Sequence, residues 1–194
     1  MEDLYSFSRK RQYRAWEIIR NTRVIDIWER HSDEIHLIGS LKLGLLMKHR
    51  DIDFHIYSNS QTIMKDSFAA ITELAANENV KEILYRNLIN TNEHCLEWHA
   101  SYLDQNKELW QIDMIHIVKG SFYDGYFENV MQQIEAQLTD EKRHIILQLK
   151  YETPEDQKIM GIEYYKAVIQ DGVKSYAELV EWRKNHPVNG ILEW

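Results

Sequence analysis

The sequence predicts an α+β fold: a small mixed β-sheet with helices on one face, preceded by N-terminal helices and followed by a C-terminal helical region. Three observations carry that expectation. Apolar residues recur at helical spacing towards both ends of the chain. In the middle, alternation with a period of two marks strands, as in Asp51-Ile52-Asp53-Phe54-His55-Ile56-Tyr57. The order there is strand, helix, strand, helix and then three strands, which a mixed sheet accommodates. Residues 1–120 are expected to hold the sheet with its N-terminal helices, and residues 121–194 the helical region.

Near the N-terminus, Tyr13, Trp16 and Ile19 form one apolar stripe and Val24, Ile27 and Trp28 a second. Polar Arg20 to Arg23 lies between them, so one bent helix or two short ones fit. Ile35 to Ile38 reads as a strand closed by Gly39-Ser40, and Leu41 to His49 as a short helix with Leu43, Leu46 and Met47 inward. A strand over Asp51 to Tyr57 and a helix over Thr62 to Ala76 follow. Val80 to Ile89, His94 to Leu103 and Leu109 to Val118 read as strands, the last two paired as a hairpin across Asp104 to Lys107. Tyr126 to Leu138 is helical, and Thr139 caps a helix reaching about Tyr151. Thr153-Pro154-Glu155 suits the start of another helix, which Gly172 stops, and Ser175 to Asn185 makes the last.

The composition narrows the function. The 194 residues carry 31 acidic and 23 Lys plus Arg side chains, a net charge of −8, with 44% apolar residues and only 2 Pro. That is an ordinary globular balance, and a chain of this length buries roughly 70% of its unfolded surface. The single cysteine, Cys95, excludes an internal disulfide and a Cys-rich zinc site. The best apolar stretch, Ile35 to Met47, is interrupted by His36, Ser40 and Lys42 and falls short of the about 20 residues a membrane span needs. Met1 to Arg14 is charged and lacks the apolar core of a secretory signal, so a cytoplasmic location is expected. The acidic balance argues against a broad nucleic-acid surface, and Arg9-Lys10-Arg11 with Arg14 reads as the solvated face of a helix.

The chemistry concentrates between Leu37 and Tyr57. Residues two apart on a strand share a face, so Asp51 and Asp53 project together beside His55 and Tyr57, while Ile52, Phe54 and Ile56 face the core. Two carboxylates so placed, about 6–7 Å apart, repel by roughly 2–3 kcal/mol at an effective dielectric near 20. A cation offsets that repulsion, and hard oxygen ligands suit Mg²⁺. Gly39 permits a sharp turn and close approach of a ligand, and the N–H groups of the helix after it suit a triphosphate. Asp113 is an isolated charge within the apolar strand Trp110 to Ile117, so it either faces solvent or belongs to a site.

Ile38-Gly39-Ser40, ten residues, Asp51-Ile52-Asp53-Phe54, and then Ile112-Asp113-Met114 resemble the signature of the nucleotidyltransferase superfamily with a DNA polymerase β-like catalytic domain. The resemblance covers about residues 35 to 118 and extends to members that adenylylate antibiotics. It implies transfer of a nucleoside monophosphate from a nucleoside triphosphate, ATP first among them, to a hydroxyl, with release of pyrophosphate. Asp51 and Asp53 would hold two Mg²⁺ ions, Asp113 would bind the catalytic metal or act as general base, and Gly39 and Ser40 would hold the phosphates. Leu43 and Gly44 stand where many members carry a basic residue, which makes Lys42 the candidate phosphate contact. Arg50 stands where many have Ser or Thr.

A small-molecule acceptor is the expected partner, nucleic acid and membrane are not, and a homodimer is left open. A protein-modifying member of toxin–antitoxin type, or a nucleotide-binding regulator without turnover, is the alternative. His55 reads as a partly exposed strand histidine, and Glu97 and His99 as residues that share the acceptor cleft or simply face solvent. Lys150 and Lys158 are both within the helical tail, and the sequence does not choose between them as phosphate ligands.

Overall fold

The computed structural model describes residues 3–187 and 194. Two helices open the chain, α1 (Leu4–Thr22) and α2 (Val24–His31). Arg23 divides them in a left-handed conformation, φ 56°, which resolves the N-terminal ambiguity in favour of two helices. The strands are β1 (Glu34–Ile38), β2 (Asp51–Ser58), β3 (Val80–Asn87), β4 (Cys95–Leu103) and β5 (Leu109–Val118). They form one sheet in the order β1-β2-β5-β4-β3. Only β2 and β5 are parallel; the other neighbours, including the β4–β5 hairpin, are antiparallel. Helix α3 (Gly39–Lys42) follows β1, and α4 (Ile63–Ala75) joins β2 to β3.

One face of the sheet is apolar because alternate residues of every central strand are. Ile52, Phe54, Ile56, Leu96, Trp98, Ala100, Ile112 and Met114 are buried there against Ile18, Trp28, Ile71 and Leu74 of α1, α2 and α4. The same face holds His116, wholly buried, with Nδ1 2.8 Å from Ser67 Oγ and Nε2 2.9 Å from Ser58 Oγ. A second core lies among the C-terminal helices α5 (Tyr126–Gln137), α6 (Asp140–Glu152), α7 (Gly161–Tyr165) with its π-helical continuation Lys166–Gln170, and α8 (Tyr176–Asn185).

Two expected elements differ. Helix α3 ends at Lys42 rather than at His49, because Gly44 takes φ 68° and the chain runs on without helix. Leu43, Leu45 and Met47 then enter the second core, while Leu41 and Leu46 enter the first, so this segment ties the two together. Arg143 Nη1 donates to the Leu43 carbonyl at 2.6 Å and fixes its path. Thr153-Pro154 does not begin a helix. Thr153 caps the end of α6, its Oγ1 bonded to the Leu149 carbonyl at 2.8 Å, and the next helix starts only at Gly161. Proline suits the position just past a helix end as well as the first turn of a new one, which is why the local pattern misleads. No helix among the described residues is long and apolar enough to cross a membrane.

Candidate active site

The opposite face of the sheet carries the acids. Asp53 and Asp113 are direct register partners on the parallel pair β2–β5, and Asp51 pairs with Gln111 two residues earlier. Partners in register point to the same side of a sheet, so residues distant in sequence meet there. All three acids line one cavity of about 590 Å³, whose wall includes Gly39, Ser40, Lys150, Lys158 and Tyr165. The cavity lies where the sheet face meets the C-terminal helices.

Gly39 is required by this arrangement. Its φ is 70°, and a Cβ added there would stand 2.3 Å from Asp53 Oδ2. Gly39→Ala is expected to lower stability by roughly 1–3 kcal/mol, from left-handed strain and displacement of the Asp53 carboxylate. Urea denaturation measures the loss, and an unchanged midpoint would show that Asp53 has room to move.

The sequence leaves Lys150 and Lys158 undivided as phosphate ligands, and both line the cavity, with Lys150 bonded to Ser40. Lys150, buried on α6, donates from Nζ to Ser40 Oγ at 2.7 Å, to the Leu45 carbonyl at 3.1 Å and to Tyr165 Oη at 3.3 Å. Ser40 Oγ is itself 3.0 Å from Tyr165 Oη. Burial pulls the Lys150 ammonium down to about 8, against the attraction of Asp53 and Asp51. Lys42, in contrast, is exposed and lines another groove with His36, Leu37 and Glu128. The signal for Lys150 was a lone cation on the inner side of a helix, visible only once Leu147, Leu149 and Ile146 are known to be buried around it.

Asp113 has partners of its own. His99 Nδ1 lies 2.6 Å from Asp113 Oδ1, and Gln111 Nε2 donates to both carboxylate oxygens, at 2.8 and 3.0 Å. The bond to Asp113 raises the His99 pKa, which favours imidazolium beside carboxylate. Behind His99 stand Glu97, 3.6 Å away, and Arg86, paired with Glu97 at 2.8 Å. His55 departs from expectation: it is buried, packed against Phe127 and 3.5 Å from Glu128 Oε1. Tyr57 Oη donates to Glu128 Oε2 at 2.6 Å, so α5 covers the far end of β2 and leaves Asp51 and Asp53 at the open end.

The electrostatics ask for a cation. Burial first, then the charges of Asp113 and Asp51, push Asp53 up to about 8. Burial and Asp113 also raise Asp51. Lys150, Lys158 and His99 stand near the three carboxylates, yet Asp51 and Asp53 remain raised, and the hard donor set fits Mg²⁺ rather than a thiophilic metal.

No family model matches the chain, and no curated protein matches it. Its fold is similar to solved structures. A structure of the Cid1 poly(U) polymerase with MgGTP bound superposes with a TM-score of 0.57 at 15% identity, over 81% of this chain and 49% of that one. One of the same polymerase with Mg 3'-dATP bound gives 0.56 at 16% identity, over 82% and 48%. A cytoplasmic RNA terminal U-transferase gives 0.52 at 14% identity, over 86% and 51%. The chain thus spans about half the length of the structures it resembles. Likeness in backbone at such identity shows architecture alone, and the conclusion is that over the matched residues this chain has the fold of those polymerase and transferase structures.

Proposed function

We propose that the protein transfers a nucleoside monophosphate from a nucleoside triphosphate to a hydroxyl of a small-molecule acceptor. The observation that carries this reading is the convergence of Asp51, Asp53 and Asp113 on one wall of a cavity whose other wall presents Ser40 and Lys150. Asp51, Asp53 and Asp113 are the residues that would hold Mg²⁺. When bound, the metal would stabilise charge on the attacking and leaving oxygens. Gly39 lets the backbone approach the phosphates, Ser40 offers its hydroxyl to them, and Lys150 supplies positive charge behind Ser40. The acceptor oxygen forms its bond to the α-phosphorus as the α–β bridging bond breaks and pyrophosphate leaves. Asp113 takes the hydroxyl proton, its carboxylate held in place by His99 and Gln111.

The choice of a small acceptor is supported by what the basic residues already do. The net charge is −8. In the groove along α1, Arg11 is paired with Glu108 at 2.8 Å and Arg14 with Glu17 at 2.9 Å and Asp104 at 3.4 Å. Those charges are met within the chain, whereas phosphate contacts need Lys and Arg free to neutralise a backbone. An RNA 3′ end is the second reading, and the RNA-directed names of the similar structures favour it.

The test is pyrophosphate release from each nucleoside triphosphate with Mg²⁺, over a panel of hydroxylated small molecules and a short RNA. Release with a small acceptor supports the proposal. Extension of RNA alone would replace it with the second reading, and nucleotide binding without turnover on any acceptor would make the protein a sensor. Lys150→Met is expected to raise KM for the triphosphate roughly ten- to hundredfold, the range of a charge-assisted contact. An unchanged KM would remove Lys150 from the donor site.

A further inference from the structure

β3 is the edge of the sheet, eight residues long, and no strand covers its outer side among the described residues. Open edges of this length are ordinarily blunted by charge or by a covering element. Here charged Lys81, Glu82 and Arg86 share the strand with large exposed apolar side chains on both faces. Leu84 is 55% exposed on the face that carries the acids; Tyr85 (38%), with Phe68 (46%) and Met64 (38%) of α4, is exposed on the other. These are four of the eleven large apolar side chains exposed among the described residues, gathered at one edge.

The hydrogen-bond phase limits what can pair there. Leu88 N donates to the Cys95 carbonyl at 2.9 Å, and the register runs without slip from Asn87 to Ile83. Alternation then turns the backbone groups of Arg86 and Leu84 towards β4 and leaves those of Ile83, Tyr85 and Asn87 at the open edge. We infer that this edge pairs with β3 of a second copy, antiparallel, on a two-fold axis through Leu84.

In that register Ile83 and Tyr85 exchange their free backbone bonds, Leu84 meets its own copy, and Glu82 stands opposite Arg86 twice. Centring on Ile83 or Tyr85 instead sets Glu82 against Leu84, or Arg86 against Leu84, and loses both charge pairs. Centring between residues sets outward-facing groups against inward-facing ones and loses the hydrogen bonds. Among the described residues Glu82 makes no ion pair, and Arg86, its side chain 65% exposed, is ion-paired with Glu97 alone. One register thus satisfies backbone, apolar and charged groups together, as an isologous interface demands.

Leu84 is also in line with the acids: it is registered with His99, His99 with Asp113, and Asp113 with Asp53. The pairing therefore makes one continuous sheet with both acid clusters on the same face, the two Asp113 residues about 24 Å apart at five strand spacings of about 4.8 Å.

Sedimentation of the full chain tests this, with three proteins and one mixture. The wild type is expected to be a dimer. Glu82→Arg and Arg86→Glu, each alone, place like charges together twice and are expected to weaken dimerisation at least about tenfold. A one-to-one mixture of the two variants restores opposite charges at both positions and is expected to form a heterodimer. Thermal melts check that each variant is folded. A wild type that stays monomeric, a dimer indifferent to both substitutions, or a mixture no more associated than its components would each overturn the inference.

Discussion

Asp53→Asn is expected to reduce nucleotidyl transfer at least roughly a hundred- to thousandfold and, at the same time, to make the metal-free protein more stable near neutral pH. The two effects share a cause. The Asp53 carboxyl is enclosed beside Asp51 and Asp113, and its pKa rises from 3.8 to about 8. The folded state therefore holds this proton more tightly than the unfolded chain does. The corresponding stability is present below about pH 4 and is lost as pH rises to about 8, on the order of 5 kcal/mol in all. Asparagine carries no such penalty. Urea denaturation in chelator, compared between wild type and variant from about pH 5 to 8, should show a gap that widens with pH. Added Mg²⁺ should close the gap by stabilising the wild type alone. Parallel curves for the two proteins would mean that Asp53 is not under electrostatic strain. Lys150 acts with the opposite sign at higher pH: its depressed folded-state pKa, about 8 against 10.5, returns stability as pH rises between those values.

His116→Ala should cost about 3–4 kcal/mol and, unlike substitutions at the acids, leave the cavity chemistry untouched. The ring is wholly enclosed beneath α2 and α4, its centroid 5.0 Å from that of Trp28 in an edge-on contact, with both nitrogens bonded to hydroxyls. Its removal leaves a void and deprives Ser58 and Ser67 of a partner. Ser67 keeps the bond donated by Trp98 Nε1 at 3.0 Å. Burial pulls the imidazole pKa down to about 3. The unfolded chain binds this proton more readily, so this residue's contribution is full above about 6.5 and declines as pH falls towards about 3. Denaturation midpoints of wild type and variant should therefore converge on acidification, and a constant difference would show that His116 is charged when folded.

The strands were legible because alternation is a local property. β2 and β4 alternate apolar and polar residues along most of their length, β5 does so from Trp110 to Met114, and the expected spans agree with the observed ones to within a residue or two. The C-terminal segment was less legible. Pro154 is compatible with two opposite readings, and the brief helix at Gly161 followed by a π-helical turn is held by Glu163 and by packing in the second core rather than by periodicity. Leu43 to Met47 was misread for the same kind of reason: two cores compete for alternate residues, and neither is visible in a window of a few amino acids.

What the amino-acid order determined by itself was the set of elements and the presence of Gly39-Ser40, Asp51, Asp53 and Asp113 on strands or their ends, because strand period and glycine chemistry act over neighbouring residues. Tertiary structure alone decided that β2 lies parallel to β5 with Asp53 beside Asp113, that Lys150 rather than Lys42 faces the acids, and that His99 holds Asp113. Those outcomes depend on strand order and on which helix closes over the sheet, and both follow from burying two cores at once, a condition on the whole chain rather than on any segment of it.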